Sequence, residues 1–125
     1  DVTVEQLRNR SWWSGPEIYI VVDDFDMIEG NNNPLKPLVP FLAQAADIGL
    51  HVIIARRAAG IGRSSYEPVL QGLKDAGANG ILLSGDRQEG QVWPGVYLQR
   101  LPAGRANWVD KSGKKHLVQL AFYPE

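Results

Sequence analysis

The sequence has no cysteine, which excludes disulfide bridges and thiolate metal sites without fixing a redox compartment. It has no uninterrupted apolar run near the roughly 20 residues that a membrane-spanning helix needs. Its opening stretch, Asp1-Val2-Thr3-Val4-Glu5-Gln6, has neither the basic nor the apolar region of a signal peptide. Excess charge is also lacking. Thirteen Lys and Arg stand against fourteen Asp and Glu, a formal net charge of −1, so no global field favours nucleic acid or an anionic membrane. Nowhere is there a G-x-x-x-x-G-K-[ST] phosphate loop. Gly60-Ile61-Gly62-Arg63-Ser64-Ser65 contains glycines but no Lys at the required spacing, so the chain by itself has little to hold the β- and γ-phosphates of a nucleotide. His51 and His116 have no ligand-like spacing with each other or with the acids.

What is present fits one modest core in 125 residues. Thr3 to Gln6 reads as a capping box opening a helix through about Arg10. After the loop at Ser11–Pro16, Ile18-Tyr19-Ile20-Val21-Val22 is apolar on both faces, the pattern of a buried parallel strand. Asn31-Asn32-Asn33-Pro34 is a turn feeding a helix, on which Leu35, Leu38, Val39, Leu42, Ala45 and Ala46 share a face. Pro37 and Pro40 make its first turn irregular, and Gly49 stops it. A second buried strand follows at Leu50–Ala55, then a loop at Ala58–Ser64. A helix over Tyr66–Ala76 has Val69, Leu70 and Leu73 inward, and a third strand covers Ile81–Leu83. Beyond a polar loop at Gly85–Gly90, Val96–Leu98, Arg105–Val109 and His116–Phe122 read as strands, the last two joined by a turn at Asp110–Lys114. The order predicts an α/β fold with a parallel sheet and a terminal β-ribbon. The first strand should have neighbours on both edges, so the expectation is that a preceding half supplies one of them; an unpaired apolar edge is an aggregation hazard.

The first strand ends in Asp23-Asp24-Phe25-Asp26. An apolar strand ending in paired carboxylates matches a Walker B element. The first acid, Asp23, would hold Mg²⁺ directly or through water, and the second, Asp24, would orient or deprotonate the attacking water. Ligands collect at the carboxyl ends of strands in such sheets. The alternative is a solvated acidic turn. The second strand ends in Arg56-Arg57, placed to sense a phosphate in cis or in trans; the alternative is a surface Arg pair or a salt bridge with the Asp23–Asp26 cluster. Trp12, Trp13, Trp93 and Trp108 are many tryptophans for so short a chain, and they serve either packing or a groove for an amphipathic helix or signal peptide. The basic run Lys111-Ser112-Gly113-Lys114-Lys115 reads as a solvated hairpin tip, and Ser64-Ser65 has no nucleophilic partner in view.

Three stretches carry a family resemblance: Ile18–Asp26, Leu42–Arg57 with its helix–Gly–Leu–His–strand join, and Gly80–Gly85 followed by Pro94-Gly95 and Leu101-Pro102-Ala103-Gly104-Arg105. Together they resemble the FtsK/SpoIIIE family of motor ATPases and, more narrowly, the last ATPase domain of the EccC proteins of type VII (Esx-type) secretion. The resemblance covers nearly the whole chain. It implies a RecA-like P-loop NTPase core of which residues 1–125 are the C-terminal portion, without the Walker A half. It further implies ATP and Mg²⁺ as cofactors, with Asp23 at the metal and nucleotide, Asp24 as the catalytic residue, and Arg56 and Arg57 at the nucleotide. As partners it implies small helical Esx-type substrates carrying a C-terminal export signal, and other ATPase domains in a hexameric ring. The implied location is the cytoplasmic face of the plasma membrane, with this domain soluble. DNA is not an expected partner, because the DNA-translocating branch reads DNA with a separate domain. Two departures stand out. Active members have Asp-Glu where this chain has Asp23-Asp24, and Thr-Gln where it has Arg56-Arg57. Both imply weak or degenerate hydrolysis. The rival reading is a non-catalytic docking module with an ATPase fold, and behind it stands a DNA-translocating motor of the FtsK type.

Overall fold

The computed structural model describes residues 3–5, 15–30, 32–64 and 66–123, and the chain divides into two compact units, Asp1–Arg56 and Arg57–Glu125. Val4 and Glu5 are helical; the remainder of the helix predicted through Arg10, with Trp12 and Trp13, lies outside the described residues.

In the first unit, β1 (Ile18–Val22) and β2 (Leu50–Ile54) pair in parallel, Ile18 opposite Leu50 and Val22 opposite Ile54. The two runs of β-branched and aliphatic residues therefore form the predicted parallel strands, but the predicted burial on both faces is not seen. Because side chains alternate across a strand, Tyr19, Val21, His51 and Ile53 share one face. Tyr19, Val21 and Ile53 are all exposed, whereas Leu50 on the opposite face is buried. The connection runs through a turn at Phe25–Met27 and a 13-residue helix, Lys36–Ile48, that lies against β2.

That helix is wound as 3₁₀, where the apolar spacing had predicted α. Pro40, inside the helix, explains the difference, whereas Pro37 falls in the first turn, where proline is tolerated. In an α-helix the Pro40 ring would collide with the carbonyl of Lys36, and the tighter i→i+3 bonding, seen at Lys36 N–H to Asn33 and Leu38 N–H to Leu35, relieves that collision. The inward face is largely as read, with Leu42 buried and Leu35, Leu38, Val39 and Ala45 half-buried, but the changed winding leaves Ala46 exposed. Asn33, itself buried, accepts the Leu35 N–H at 2.9 Å. Gly49, at φ 69°, ends the helix where predicted.

The second unit opens with a single helical turn, α1 (Ile61–Ser64), followed by α2 (Pro68–Asp75). Glu67 caps α2: its Oε2 accepts the N–H groups of Val69 at 2.8 Å and Leu70 at 3.1 Å. A three-stranded antiparallel sheet has the order β3 (Gly80–Leu82), β6 (Arg105–Val109), β7 (Lys115–Gln119). The last two form the predicted ribbon. β3 departs from expectation, for it joins this ribbon antiparallel instead of continuing a parallel sheet. A second small hairpin, β4 (Gln91–Trp93) and β5 (Val96–Tyr97), turns at Pro94-Gly95. β4 is not among the predicted strands, since three residues between Gly90 and Pro94 are too few to show a period. Ile61, Val92 and Leu98 form the core, with Ala58, Leu70, Leu82 and Trp93 packed around them.

Two glycines set how closely these pieces approach. A Cβ at Gly62 would stand 1.7 Å from the carbonyl oxygen of Glu89, and one at Gly80 would stand 2.2 Å from Cη2 of Trp93. The first obstacle is backbone and cannot yield cheaply. Gly62→Ala is therefore expected to lower stability by about 1–3 kcal/mol, and by more than Gly80→Ala, where an indole can shift. Urea unfolding of the two variants checks the order; equal losses would mean that Gly62 is not pinned by backbone.

Candidate functional site

The paired acids stand at the carboxyl end of β1. Asp23 and Asp24 are both exposed, and Asp23 Oδ1 accepts the Asp24 N–H at 2.9 Å. Asp24 has φ 51° and ψ 45°, and among the described residues it alone has positive φ without being glycine. A residue with a Cβ is disfavoured there by roughly 1–2 kcal/mol, less for Asp, whose short side chain bonds locally. The left-handed step turns the chain so that Phe25 dives inward and becomes fully buried. The Phe25 N–H donates to the Ala55 carbonyl at 2.9 Å, and the Ala55 N–H donates to the Val22 carbonyl at 2.9 Å. The ends of β1 and β2 are thus bound together, which places the acids beside the start of Arg56.

Arg56 itself is mostly buried. Its Nη1 donates to Oε2 of Glu29 at 2.6 Å, with side chains 9% and 20% exposed. The sequence-based alternative for Arg56 is a salt bridge with the Asp23–Asp26 cluster; the structure pairs it with Glu29, which sits in the loop after the acidic turn with no motif spacing to mark it. Arg57 is exposed and belongs to the second unit. Asp26 is half-buried.

Among the described residues there is no cluster of three or more Asp, Glu, His or Cys able to hold a metal ion. The donor set still suits Mg²⁺, which binds through one or two carboxylates and otherwise through water and phosphate. An exposed Asp23 with one oxygen engaged by a backbone amide has that capacity. The predicted glycine-containing stretch forms only the single turn α1, and Ser64 Oγ donates back to the Gly60 carbonyl at 3.5 Å; Ser65 lies outside the described residues.

The second unit contains a cleft of about 710 Å³, bordered by α2, the β4–β5 turn and the tip of the β6–β7 ribbon. Trp93 lines it, with Lys74 Nζ held 5.2 Å from the ring centroid. Burial lowers the Lys74 pKa, and the neighbouring Asp75 carboxylate raises it by a lesser amount. Trp108, by contrast, is partly exposed and tilts against His116 at 5.3 Å. One of the two described tryptophans thus lines a cleft and the other pairs across a ribbon. His51 bonds Glu17 at 3.0 Å and stacks on Tyr19 at 4.5 Å.

The basic ribbon tip is organised by Asp110. Its Oδ1 accepts from Ser112 N–H, Ser112 Oγ–H and Lys114 N–H at 2.9, 2.6 and 3.0 Å, and its Oδ2 lies 2.8 Å from His116 Nε2.

No family model matches the sequence. The chain is, however, similar to the ESX secretion system protein EccC of Thermomonospora curvata, 46% identical over 98% of this chain and 9% of that protein. It is equally similar to the ESX-4 secretion system protein EccC4 of Mycobacterium tuberculosis, 46% identical over 99% of this chain and 10% of that one. It therefore spans about a tenth of the length of these curated relatives. Among solved structures it matches the cytoplasmic domain of the T. curvata type VII secretion ATPase EccC, with TM-score 0.88 and 45% identity over 100% of this chain and 14% of that chain. It matches equally well T. curvata EccC (ATPases 2 and 3) in complex with a signal sequence peptide, over 22% of that chain.

The bonds from Ser112, then His116, then the Lys114 amide hold the Asp110 carboxyl well below the usual carboxylate range. A carboxyl pKa lowered by folding adds stability that is fully present above its unfolded value, about 4, and is lost as pH falls through the lowered folded value. Asp110→Asn should therefore flatten the acid limb of the stability–pH profile below about pH 4, read from urea midpoints. An unchanged acid limb would show that the ribbon tip does not contribute.

Proposed function

We propose, for a chain that belongs to the EccC family of type VII secretion ATPases, that it forms the strand-end part of a nucleotide-binding domain, the last in its protein, with weak hydrolysis. The observation that supports this most is the pair Asp23-Asp24 at the carboxyl end of β1, flanked by Val22 and Phe25, whose backbones are both hydrogen-bonded to Ala55 at the end of β2. Asp23 would hold the Mg²⁺ of ATP, a metal that neutralises charge on the β- and γ-oxygens. Asp24 would face the attacking water. Its carboxylate is one methylene shorter than the Glu of active family members, which sets the base back from its target and slows proton transfer, a step that depends on hydrogen-bond reach. The phosphate cradle would come from sequence of the kind that the much longer relatives possess. A hexameric ring at the cytoplasmic face of the plasma membrane goes with this reading; no described helix is long and apolar enough to cross a membrane.

The test joins this segment to the remainder of an EccC ATPase domain and titrates a fluorescent ATP analogue with Mg²⁺. Asp23→Ala should weaken binding by tenfold or more, about 1.4 kcal/mol, and Asp24→Glu should raise turnover with little effect on affinity. A folded chimera that binds no nucleotide would leave the docking-module reading in its place.

The cleft beside Trp93 supports a second activity of the same domain, recognition of the C-terminal export signal of a small helical secretion substrate. T. curvata EccC is solved with a signal sequence peptide, and a half-buried indole with a lysine over its face offers an apolar floor and a cationic rim. A signal peptide should quench or shift Trp93 emission, and Trp93→Ala should weaken its binding by roughly 2 kcal/mol, the scale of an interface anchor. Binding insensitive to Trp93 would place the signal elsewhere.

A further inference from the structure

The acids at the end of β1 are held by a closed circuit of bonds. Starting at Ala55, the carbonyl accepts the Phe25 N–H at 2.9 Å. The Phe25 carbonyl accepts the N–H groups of Ile28 at 3.0 Å and Glu29 at 3.1 Å. The Glu29 carboxylate accepts Arg56 Nη1 at 2.6 Å, and Arg56 is joined covalently to Ala55. Phe25, a link of this ring, is fully buried, and immediately before it stands left-handed Asp24. The Asp24 carbonyl also accepts the Met27 N–H at 2.8 Å, so the turn is tied from both sides.

We propose that Arg56 is a positioning residue: acting through Glu29, it closes the ring through Phe25 that fixes left-handed Asp24 and thereby aims the Asp23 and Asp24 carboxylates. The physical basis is the burial of the pair. Two charges at 2.6 Å with side chains 9% and 20% exposed are largely shielded from water, so removing one takes a short, shielded charge contact from the other and opens the closed arrangement. The left-handed step needs such a constraint, because a residue with a Cβ held there persists only when its surroundings over-determine it. Arg56 thus acts on the acids and not on a phosphate, which separates its role from that of Arg57. The inference deepens the nucleotide-site reading and rests on it for the purpose of the aim, although the ring itself does not depend on nucleotide.

The experiment uses the 125-residue protein and two readouts. Amide hydrogen exchange follows Phe25, Ile28 and Glu29, with the β1 and β2 amides as internal reference. Paramagnetic broadening by Mn²⁺, standing in for Mg²⁺, follows the Asp23 and Asp24 amides. Arg56→Met and Glu29→Gln should each speed exchange of the turn amides at least tenfold while the strand amides change less than twofold. Arg56→Lys should restore part of the protection, and the swap Arg56→Glu with Glu29→Arg should restore more than either of its single changes. Mn²⁺ broadening should weaken in step with lost protection. Unchanged turn protection in both single variants overturns the proposal. So does a loss spread evenly over turn and strands, which would make the pair a general stabiliser. If protection behaves as expected but Mn²⁺ broadens nothing in the unaltered protein, the ring stands and the nucleotide-site reading fails.

Discussion

A single backbone hydrogen bond, from the Phe25 N–H to the Ala55 carbonyl, carries the parallel pairing of β1 and β2 past the last paired residues of both strands. Parallel pairs are joined through long connections, so nothing local forces their ends to meet. Here the long connection leaves β1 through the acidic turn and returns through a proline-wound 3₁₀ helix. Without the bond at Phe25, the turn would be free to fray from the sheet and the acids would have no fixed direction. With it, the end of one strand becomes the reference frame for the end of the other.

The second unit solves a different problem. Its strands are short, and its core of Ile61, Val92 and Leu98 is small. Close approach takes the place of area. Gly62 lets the α1 turn meet the Glu89 carbonyl, and Gly80 lets β3 lie under the Trp93 ring. Trp93 then serves two surroundings at once, core on one side and cleft on the other, with Lys74 drawn partly out of water above it. The ribbon tip achieves local order without burial, because one carboxylate gathers three donors and a histidine.

Much of this was legible in the sequence because the signals were local. Two β-branched runs gave β1 and β2, Gly49 and Gly77 gave helix stops, and Asp110–Lys114 gave the ribbon turn. The family resemblance rested on contiguous motifs, and the relatives agree with it. What stayed hidden depended on distance along the chain or on competing local effects. The partnership of β3 with β6 joins residues 80–82 to 107–109, which no local period reveals. The 3₁₀ winding of Lys36–Ile48 shares its apolar positions with an α-helix closely enough to be mistaken for one, and only Pro40 argues against it. Glu29 carried no motif, and its pairing with Arg56 exists only because β2 returns beside the end of β1.

The left-handed backbone at Asp24 also bears on which side chains that position can accept. Aspartate and asparagine enter this region more readily than longer residues, because their short polar groups bond to nearby backbone. Glutamate, one methylene longer, reaches farther but gains no such relief. Side-chain reach and backbone comfort therefore pull in opposite directions at one residue, and a longer acid placed there would require the turn around Phe25 to relax as well.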